Sequence, residues 1–139
     1  MGVLAMLREI WLLGMKNRGI PKEQCVFVAR KRGNDELAPS EALFSEFGKR
    51  KRALEKSLGK GSSEAHNRAY LECDYERRFR KQISENPEAL RKLEKISLRS
   101  KKEDVYLVCY EGPTKACHRR ILLKIAEELF GAKVGVEGL

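Results

Sequence analysis

The sequence predicts an α/β fold: one compact domain with a small, mostly parallel sheet covered by helices on both faces. Two apolar, β-rich segments, at residues 25–29 and 105–109, are typical of buried strands. Longer segments with apolar residues at helical spacing lie between and after them. Because parallel strands need crossover connections, this alternation favours a parallel sheet. The length of 139 residues fits a single domain over residues 1–139.

The N-terminal part of the chain predicts a first element followed by a strand. Residues 9–13 fit either a strand or a short helix, and Gly14 with residues 17–21 indicates a loop. The apolar segment at residues 25–29 predicts a strand, because it combines β-formers with a stop at the basic stretch 30–33.

A helical insertion is expected over about residues 40–98, between two strands. Ser40 can cap a helix that runs to about residue 58, and the Gly- and Ser-rich residues 59–63 predict a flexible loop. One long polar helix is expected from residue 64 to about residue 84. Pro87 suits the first position of a further helix, which ends at about residue 97.

The C-terminal part predicts a strand, a loop, a helix and a last short strand. The strand at residues 105–109 ends at Cys109, and a helix is expected from about residue 114 to residue 130. Gly131 can end this helix in the left-handed conformation. Residues 133–136 then predict a short strand.

The chain is basic, with 29 Lys and Arg against 20 Asp and Glu and a net charge of +9. Such a surplus allows a polyanionic partner without requiring one. The densest positive cluster is Lys49, Arg50, Lys51 and Arg52. Its two interpretations are contact with nucleic-acid phosphates and a solvated helix end. A nucleic-acid-binding module that uses this face is therefore our alternative functional hypothesis.

The N-terminal apolar segment is too short for a membrane span, and Arg8 and Glu9 interrupt it. We therefore expect an intracellular, cytoplasmic protein without a membrane partner, whose four cysteines are reduced thiols. Their spacing matches no standard zinc pattern, so no metal ligands are predicted. His66 lies in a polar stretch and is expected to face water. The sequence leaves cofactor and oligomeric state open.

Five short sequence motifs follow one another along the chain. They are Leu-Ala-Pro-Ser at residues 37–40, Tyr-Glu-Arg-Arg-Phe at 75–79, Asn-Pro-Glu-Ala-Leu at 86–90, Leu-Val-Cys-Tyr-Glu at 107–111 and Cys-His-Arg at 117–119. Over about residues 9–136 the chain resembles the domain-of-unknown-function family number 488 of bacteria and archaea. The resemblance implies a small α/β fold and a site around the Cys-Glu-loop-Cys-His-Arg segment, but no established activity. Members often carry polar residues at the end of the first strand, where this chain has Leu12, Leu13 and Gly14.

The segment from Cys109 to Arg119 is the candidate site, because it joins a strand end to a helix start. Open α/β sheets bind ligands at this edge, where helix N-terminal amides favour anions. We expect the amides of residues 115–118, Arg119 and Arg30 to bind a small anionic ligand. The alternative is that Arg119 pairs with Glu111 and only closes the loop.

The same segment also suggests catalysis. A helix start beside His118 is where a Cys117 thiolate would be stabilised, and Glu111 could act as an acid, a base or an orienting carboxylate. Cys109 could face the same loop and could form a reversible disulfide with Cys117. The alternative is that Cys109 is only a small buried hydrophobic residue and Cys117 an inert thiol of the loop. The spacing of Cys and Arg does not match a phosphatase cradle, so the sequence names neither a substrate nor a reaction.

Overall fold

The computed structural model describes residues 5–136, and within them four short strands form one parallel sheet. The order in the sheet is β2-β3-β1-β4. The strands are β1 (Leu7–Trp11), β2 (Cys25–Phe27), β3 (Val105–Cys109) and β4 (Val134–Val136). In the register, Trp11 lies opposite Cys109 and Val26 lies opposite Leu107. The predicted α/β class and parallel sheet are confirmed.

Six α-helices connect these strands within the described residues. They are α1 (Leu12–Arg18), α2 (Glu41–Leu58), α3 (Ser63–Glu72), α4 (Tyr75–Ser84), α5 (Pro87–Arg99) and α6 (His118–Phe130). Helices α2 to α5 all lie between β2 and β3 in the chain, where the helical insertion was expected. Across residues 5–136, none of the helices has the length and apolar character that a membrane span requires.

Helices cover both faces of the sheet, and β3 shows why. All five residues of β3 are buried, and their side chains point alternately to opposite faces. Leu107 and Cys109 join the larger core, which α2 to α6 build around Phe79. Val108 joins a smaller core with Met15 of α1 on the other face. Cys109 therefore lies beneath the inserted helices.

Helix α1 follows β1 directly, so the loop predicted from Gly14 begins too early. Gly14 lies in the first turn of α1. A Cβ atom at this position would lie 2.7 Å from Cδ1 of Trp11, which explains why the residue is glycine. Gly14 therefore allows the indole to lie against the helix. Gly19, with a φ of 64°, ends α1 in the left-handed conformation that glycine adopts at low cost.

The long helix predicted over residues 64–84 is wrong, because α3 and α4 are separate helices. The chain turns between them at Asp74, whose φ is 53°. Helix α3 packs its apolar side mainly on α2, whereas α4 packs on α5 and α6. One straight helix cannot contact both surfaces, and tertiary packing therefore overrides the continuous helical pattern.

The predicted helix ends are confirmed at several positions. Ser40 Oγ accepts a hydrogen bond from Leu43 N–H at 3.2 Å, and Gly131 ends α6 with a φ of 65°. Pro87 is the first residue of α5. Helix α6, however, begins at His118 instead of near residue 114, because residues 113–117 form a loop held by α3.

The cap of α5 provides a stability test. Asn86 Oδ1 accepts hydrogen bonds from Glu88 N–H at 3.1 Å and from Ala89 N–H at 3.3 Å. Asn86→Ala should lower the free energy of unfolding by about 1 kcal/mol, because these amides lose their side-chain acceptor. Urea unfolding followed by circular dichroism measures the change. Ser45→Ala, on the exposed face of α2, should change it by less than about 0.5 kcal/mol. Equal stabilities for the two variants would contradict the cap.

Candidate functional site

A cavity of about 230 Å³ lies at the carboxyl ends of β2 and β3. Five of the residues predicted from the sequence line it: Arg30, Cys109, Glu111, Cys117 and His118. The inserted helices supply an aromatic wall that includes Phe47, Tyr70 and Tyr75. The sheet edge thus provides the reactive groups, and the insertion provides most of the apolar surface around them.

Cys117 and His118 are in contact in the wall of this cavity. Cys117 is the N-cap residue of α6, and its Sγ lies 3.6 Å from Nδ1 of His118. Nε2 of His118 lies 2.7 Å from the carbonyl oxygen of Val28. A carbonyl only accepts, so Nε2 carries a proton and donates it. Nδ1 is thereby left to exchange a proton with the Cys117 sulfur.

Cys109 completes a cluster of sulfur and imidazole groups. The hydrogen bond that its thiol gives to Cys117, together with burial, raises the pKa of Cys109 well above its usual range. Burial by itself would raise the pKa of Cys117. The hydrogen bond from Cys109 and the charge of His118 outweigh burial and lower the pKa of Cys117 well below its usual range. These opposite pKa shifts favour Cys109 as the hydrogen-bond donor of the pair and Cys117 as its acceptor.

The pKa of His118 shifts in the direction that complements the shift of Cys117. Burial lowers the pKa of His118, but the adjacent Cys117 thiolate and the Val28 carbonyl outweigh burial and raise it. The ring of Phe79 packs against the imidazole edge-to-face at 5.4 Å between centroids. The imidazole is thus held in one orientation by Val28 and Phe79.

These residues also form a set of donors for a metal ion. The ligand atoms of Cys109, Cys117 and His118 all lie within 4.8 Å of one another. Thiolate and imidazole ligands suit zinc, and a His ligand usually donates its second N–H to a carbonyl, as His118 does to Val28. The sequence spacing gave no reason to expect this convergence, because β3 and α6 bring the donors together only in the folded chain.

A fully buried ion pair lies behind the reactive cluster. Glu9 of β1 is 0% exposed and Arg119 of α6 is 1% exposed. Arg119 Nε donates to Glu9 Oε2 at 2.9 Å, and Arg120 Nε donates to Glu9 Oε1 at 2.9 Å. Arg120 also donates to the carbonyl oxygen of Pro113 at 2.9 Å. Glu9 therefore fastens the first turn of α6, and the loop before it, to the central strand.

The structure thus gives Arg119 a partner that neither sequence interpretation named. Arg119 pairs with Glu9, not with Glu111. Its side chain does not line the cavity that holds Cys117. Arg30 does line that cavity, and its Nη1 donates to the carbonyl oxygen of Pro39 at 3.0 Å. Of the two predicted anion-binding arginines, Arg30 is therefore the one at the cavity wall.

The expectation that His66 faces water is wrong, because His66 is only 1% exposed. It lines the cavity, and its Nε2 lies 2.7 Å from the carbonyl oxygen of Ala116. Phe47 packs against the imidazole edge-to-face at 4.9 Å between centroids. Helix α3 turns this face inward, where it meets the loop before α6. The polar composition of the surrounding sequence indicated an exposed position and gave no sign of that contact.

The loop amides predicted to bind an anion are partly occupied. Lys115 N–H donates to the carbonyl oxygen of Gly112 at 3.2 Å. Ala116 N–H donates to Oδ1 of Asn67 at 2.7 Å, and Nδ2 of Asn67 donates to the carbonyl oxygen of Thr114 at 2.9 Å. Asn67 therefore holds the loop in shape. The expectation of free amides at residues 115 and 116 is wrong, because α6 starts later than predicted.

The basic cluster Lys49, Arg50, Lys51 and Arg52 lies along α2. Arg50 Nε pairs with Oε1 of Glu72 at 2.5 Å, and Lys51 is half-buried, whereas Lys49 and Arg52 are exposed. The neighbouring glutamate reduces the positive charge that this face presents. Nucleic-acid binding by this cluster stays a prediction.

Three residues that hold or line the site were not among the predicted site residues: Glu9, His66 and Asn67. A charged residue inside an apolar strand is the signal that could have found Glu9, because a buried carboxylate needs a cationic partner. His66 and Asn67 gave no such signal. Their roles depend on how α3 packs against a loop that lies about fifty residues away in the chain.

The comparison with family models decides the family. The model that matches is DUF488-N3a, described as the active DUF488-N3 subclade, and it covers residues 7–129. The chain belongs to this DUF488 family. The matched range contains Glu9, Cys109, Glu111 and the Cys-His-Arg sequence that starts at Cys117, and the predicted resemblance is confirmed. Comparisons with curated proteins and with solved structures found no match.

The buried ion pair predicts a large loss of stability when one partner is removed. Glu9→Ala leaves the Arg119 charge buried without its carboxylate, and should lower the free energy of unfolding by about 3–5 kcal/mol. Urea unfolding measures this loss. Glu64→Ala, which removes the exposed pair with Arg68, is the matched control and should cost less than about 1 kcal/mol. A Glu9→Ala variant as stable as the control would show that the pair does not fasten α6.

Proposed function

We propose that this protein is an enzyme that forms a covalent intermediate on Cys117. The observation that carries the proposal is the 3.6 Å contact between Cys117 Sγ and His118 Nδ1 in the wall of a cavity. A nucleophilic cysteine needs a lowered pKa, a proton acceptor and room for a substrate. Cys117 meets the first two conditions through Cys109 and His118, and the cavity provides the third.

The proposed first step is a displacement. The Cys117 thiolate attacks an electrophilic carbon of the substrate, a carbon–sulfur bond forms, and the bond to the leaving group breaks. The Nδ1–H of the His118 imidazolium protonates the leaving group as it departs. Nε2 stays bonded to the Val28 carbonyl throughout, so the ring keeps the orientation that this transfer needs.

The proposed second step regenerates the thiolate. The neutral Nδ1 of His118 takes a proton from water or from an acceptor alcohol or amine, which attacks the carbon bound to Cys117. The carbon–sulfur bond breaks, and the sulfur leaves as a thiolate that the Cys109 thiol stabilises by its hydrogen bond. Glu111 and Arg30 are the charged residues of the cavity wall that orient the substrate. Arg30 would take an anionic substituent, which keeps the predicted anionic ligand within the proposal.

The pH dependence of alkylation tests the thiolate. Iodoacetamide reacts with thiolates, and the pKa of Cys117 is lowered whereas the pKa values of Cys25, Cys73 and Cys109 are raised. As the pH falls to about 6, Cys117 should stay reactive while the other three become protonated. Mass spectrometry of digested protein, with EDTA present to remove bound metal, assigns the modified residue. Faster labelling of the more exposed Cys25 or Cys73 at this pH would overturn the proposal.

A substitution of Cys109 tests the origin of the lowered pKa. Cys109→Ala removes the hydrogen bond to the Cys117 thiolate, and should move the midpoint of Cys117 alkylation upward by about one to two pH units. Cys109→Ser is the matched variant, because its hydroxyl can still donate, and should keep the midpoint close to that of the unmodified protein. If alanine and serine shift the midpoint equally, the hydrogen bond does not stabilise the thiolate.

A further inference from the structure

The cavity wall contains a buried nitrogen that no group of residues 5–136 satisfies. His66 Nε2 donates to the carbonyl oxygen of Ala116, so the remaining ring nitrogen, Nδ1, is an acceptor in neutral imidazole. Nδ1 is buried and has no hydrogen-bond partner within the described part of the chain. Buried polar atoms in proteins are nearly always paired. The site therefore lacks a donor at this point.

A second acceptor lies beside this nitrogen. Oε2 of Glu111 is 3.7 Å from Nδ1 of His66, which is too far for a hydrogen bond between them. Burial, the largest influence, lowers the pKa of His66 despite the nearby Glu111, so the imidazole stays neutral. A neutral Nδ1 and a carboxylate oxygen both accept. One donor group placed between them would satisfy both.

We propose that the cavity binds a neutral, planar ring that carries an amide or amino N–H, and that this group donates to His66 Nδ1 and Glu111. The proposal rests on the proposed function, because the ring is the part of the substrate that brings an electrophilic carbon to Cys117. His66 and Glu111 are then the residues that determine specificity, at the end of the cavity formed by α3 and the loop before α6.

The aromatic wall favours a planar ring. Phe47, Tyr70 and Tyr75 line the cavity, and the two tyrosine rings stack at 4.5 Å between centroids with an angle of 18°. Flat aromatic surfaces contact a flat ligand over a large area, and edge-to-face contacts add to the binding free energy. A cavity of about 230 Å³ is large enough for one or two fused rings.

The surrounding charges favour a neutral donor over a cation. Lys51 and Lys115 lie close enough to His66 to lower its pKa further, and Arg30 lines the same cavity. An ammonium or amidinium group placed at Nδ1 would meet these three positive charges with only Glu111 in compensation. A carboxylate placed there would be repelled by Glu111. An uncharged N–H group avoids both penalties.

Two pairs of small molecules test the requirement for a donor. Nicotinamide carries a ring carboxamide and 9-methyladenine carries a ring amine, whereas their dimethyl analogues, N,N-dimethylnicotinamide and N6,N6,9-trimethyladenine, have no N–H group. Saturation-transfer NMR measures binding, and protection of Cys117 from iodoacetamide reports where the molecule binds. We expect at least one N–H compound to bind and to protect, and its dimethyl analogue to bind roughly tenfold more weakly. The pair whose two members differ in affinity shows whether the donor is a carboxamide or a ring amine.

Two variants locate the acceptors. Glu111→Ala and His66→Phe should each weaken the N–H compound about tenfold and leave its dimethyl analogue unchanged. Glu111 is partly exposed on a loop, so its variant keeps the test informative if His66→Phe does not fold. Glu64→Ala, on the outer face of α3, is the control and should bind as the unmodified protein does.

Equal binding of both members of each pair, or no binding of any of the four at millimolar concentration, would overturn the inference. If Cys117 is alkylated at low pH as expected but no compound discriminates, this inference fails and the proposed function stands. If Cys117 is unreactive, the proposed function fails, and discrimination measured by NMR still establishes the donor site.

Discussion

The carboxylate of Glu9 is buried at the centre of the sheet, and a buried charge is tolerated only beside a partner of opposite charge. Arg119 and Arg120, consecutive residues in the first turn of α6, bind its two oxygens. The helix start is therefore anchored to β1 and not only to β3, which leads into it. Since Cys117 and His118 immediately precede these arginines, the same ion pair also positions the sulfur and the imidazole of the candidate site.

The site is assembled from two parts of the fold with different tasks. The sheet and α6 position the sulfur and imidazole groups. Cys109 ends β3, and the Val28 carbonyl at the end of β2 orients His118. The helices inserted between β2 and β3 provide the enclosure, with Phe47 from α2 and His66 from α3. A low-dielectric wall strengthens each charge interaction in the cavity, so the proposed Cys117 thiolate requires the His118 imidazolium as its partner.

Most hydrogen-bonding groups around the cavity have partners, so the unpaired Nδ1 of His66 among the described residues is informative. Asn67 uses both its amide donor and its carbonyl oxygen on the loop before α6, and His118 uses both ring nitrogens. His66 uses only one. Locally unfavourable features in an otherwise consistent structure are concentrated at functional positions. The unpaired nitrogen beside Glu111 is therefore the observation that supports the proposed recognition of an N–H group.

The sequence by itself determined the α/β class and the helix ends at Ser40, Pro87 and Gly131, and it indicated which segment carries the candidate residues. These features depend on local propensity and periodicity, which neighbouring residues settle among themselves. The break at Asp74, the burial of His66 and the pairing of Arg119 with Glu9 were decided only by tertiary structure. Each depends on contact between segments distant in the chain, and a pattern of residue types does not state which segments meet. The sequence thus placed Cys117 and His118 next to each other in the chain. The fold decided which groups shift their pKa values and which groups enclose them.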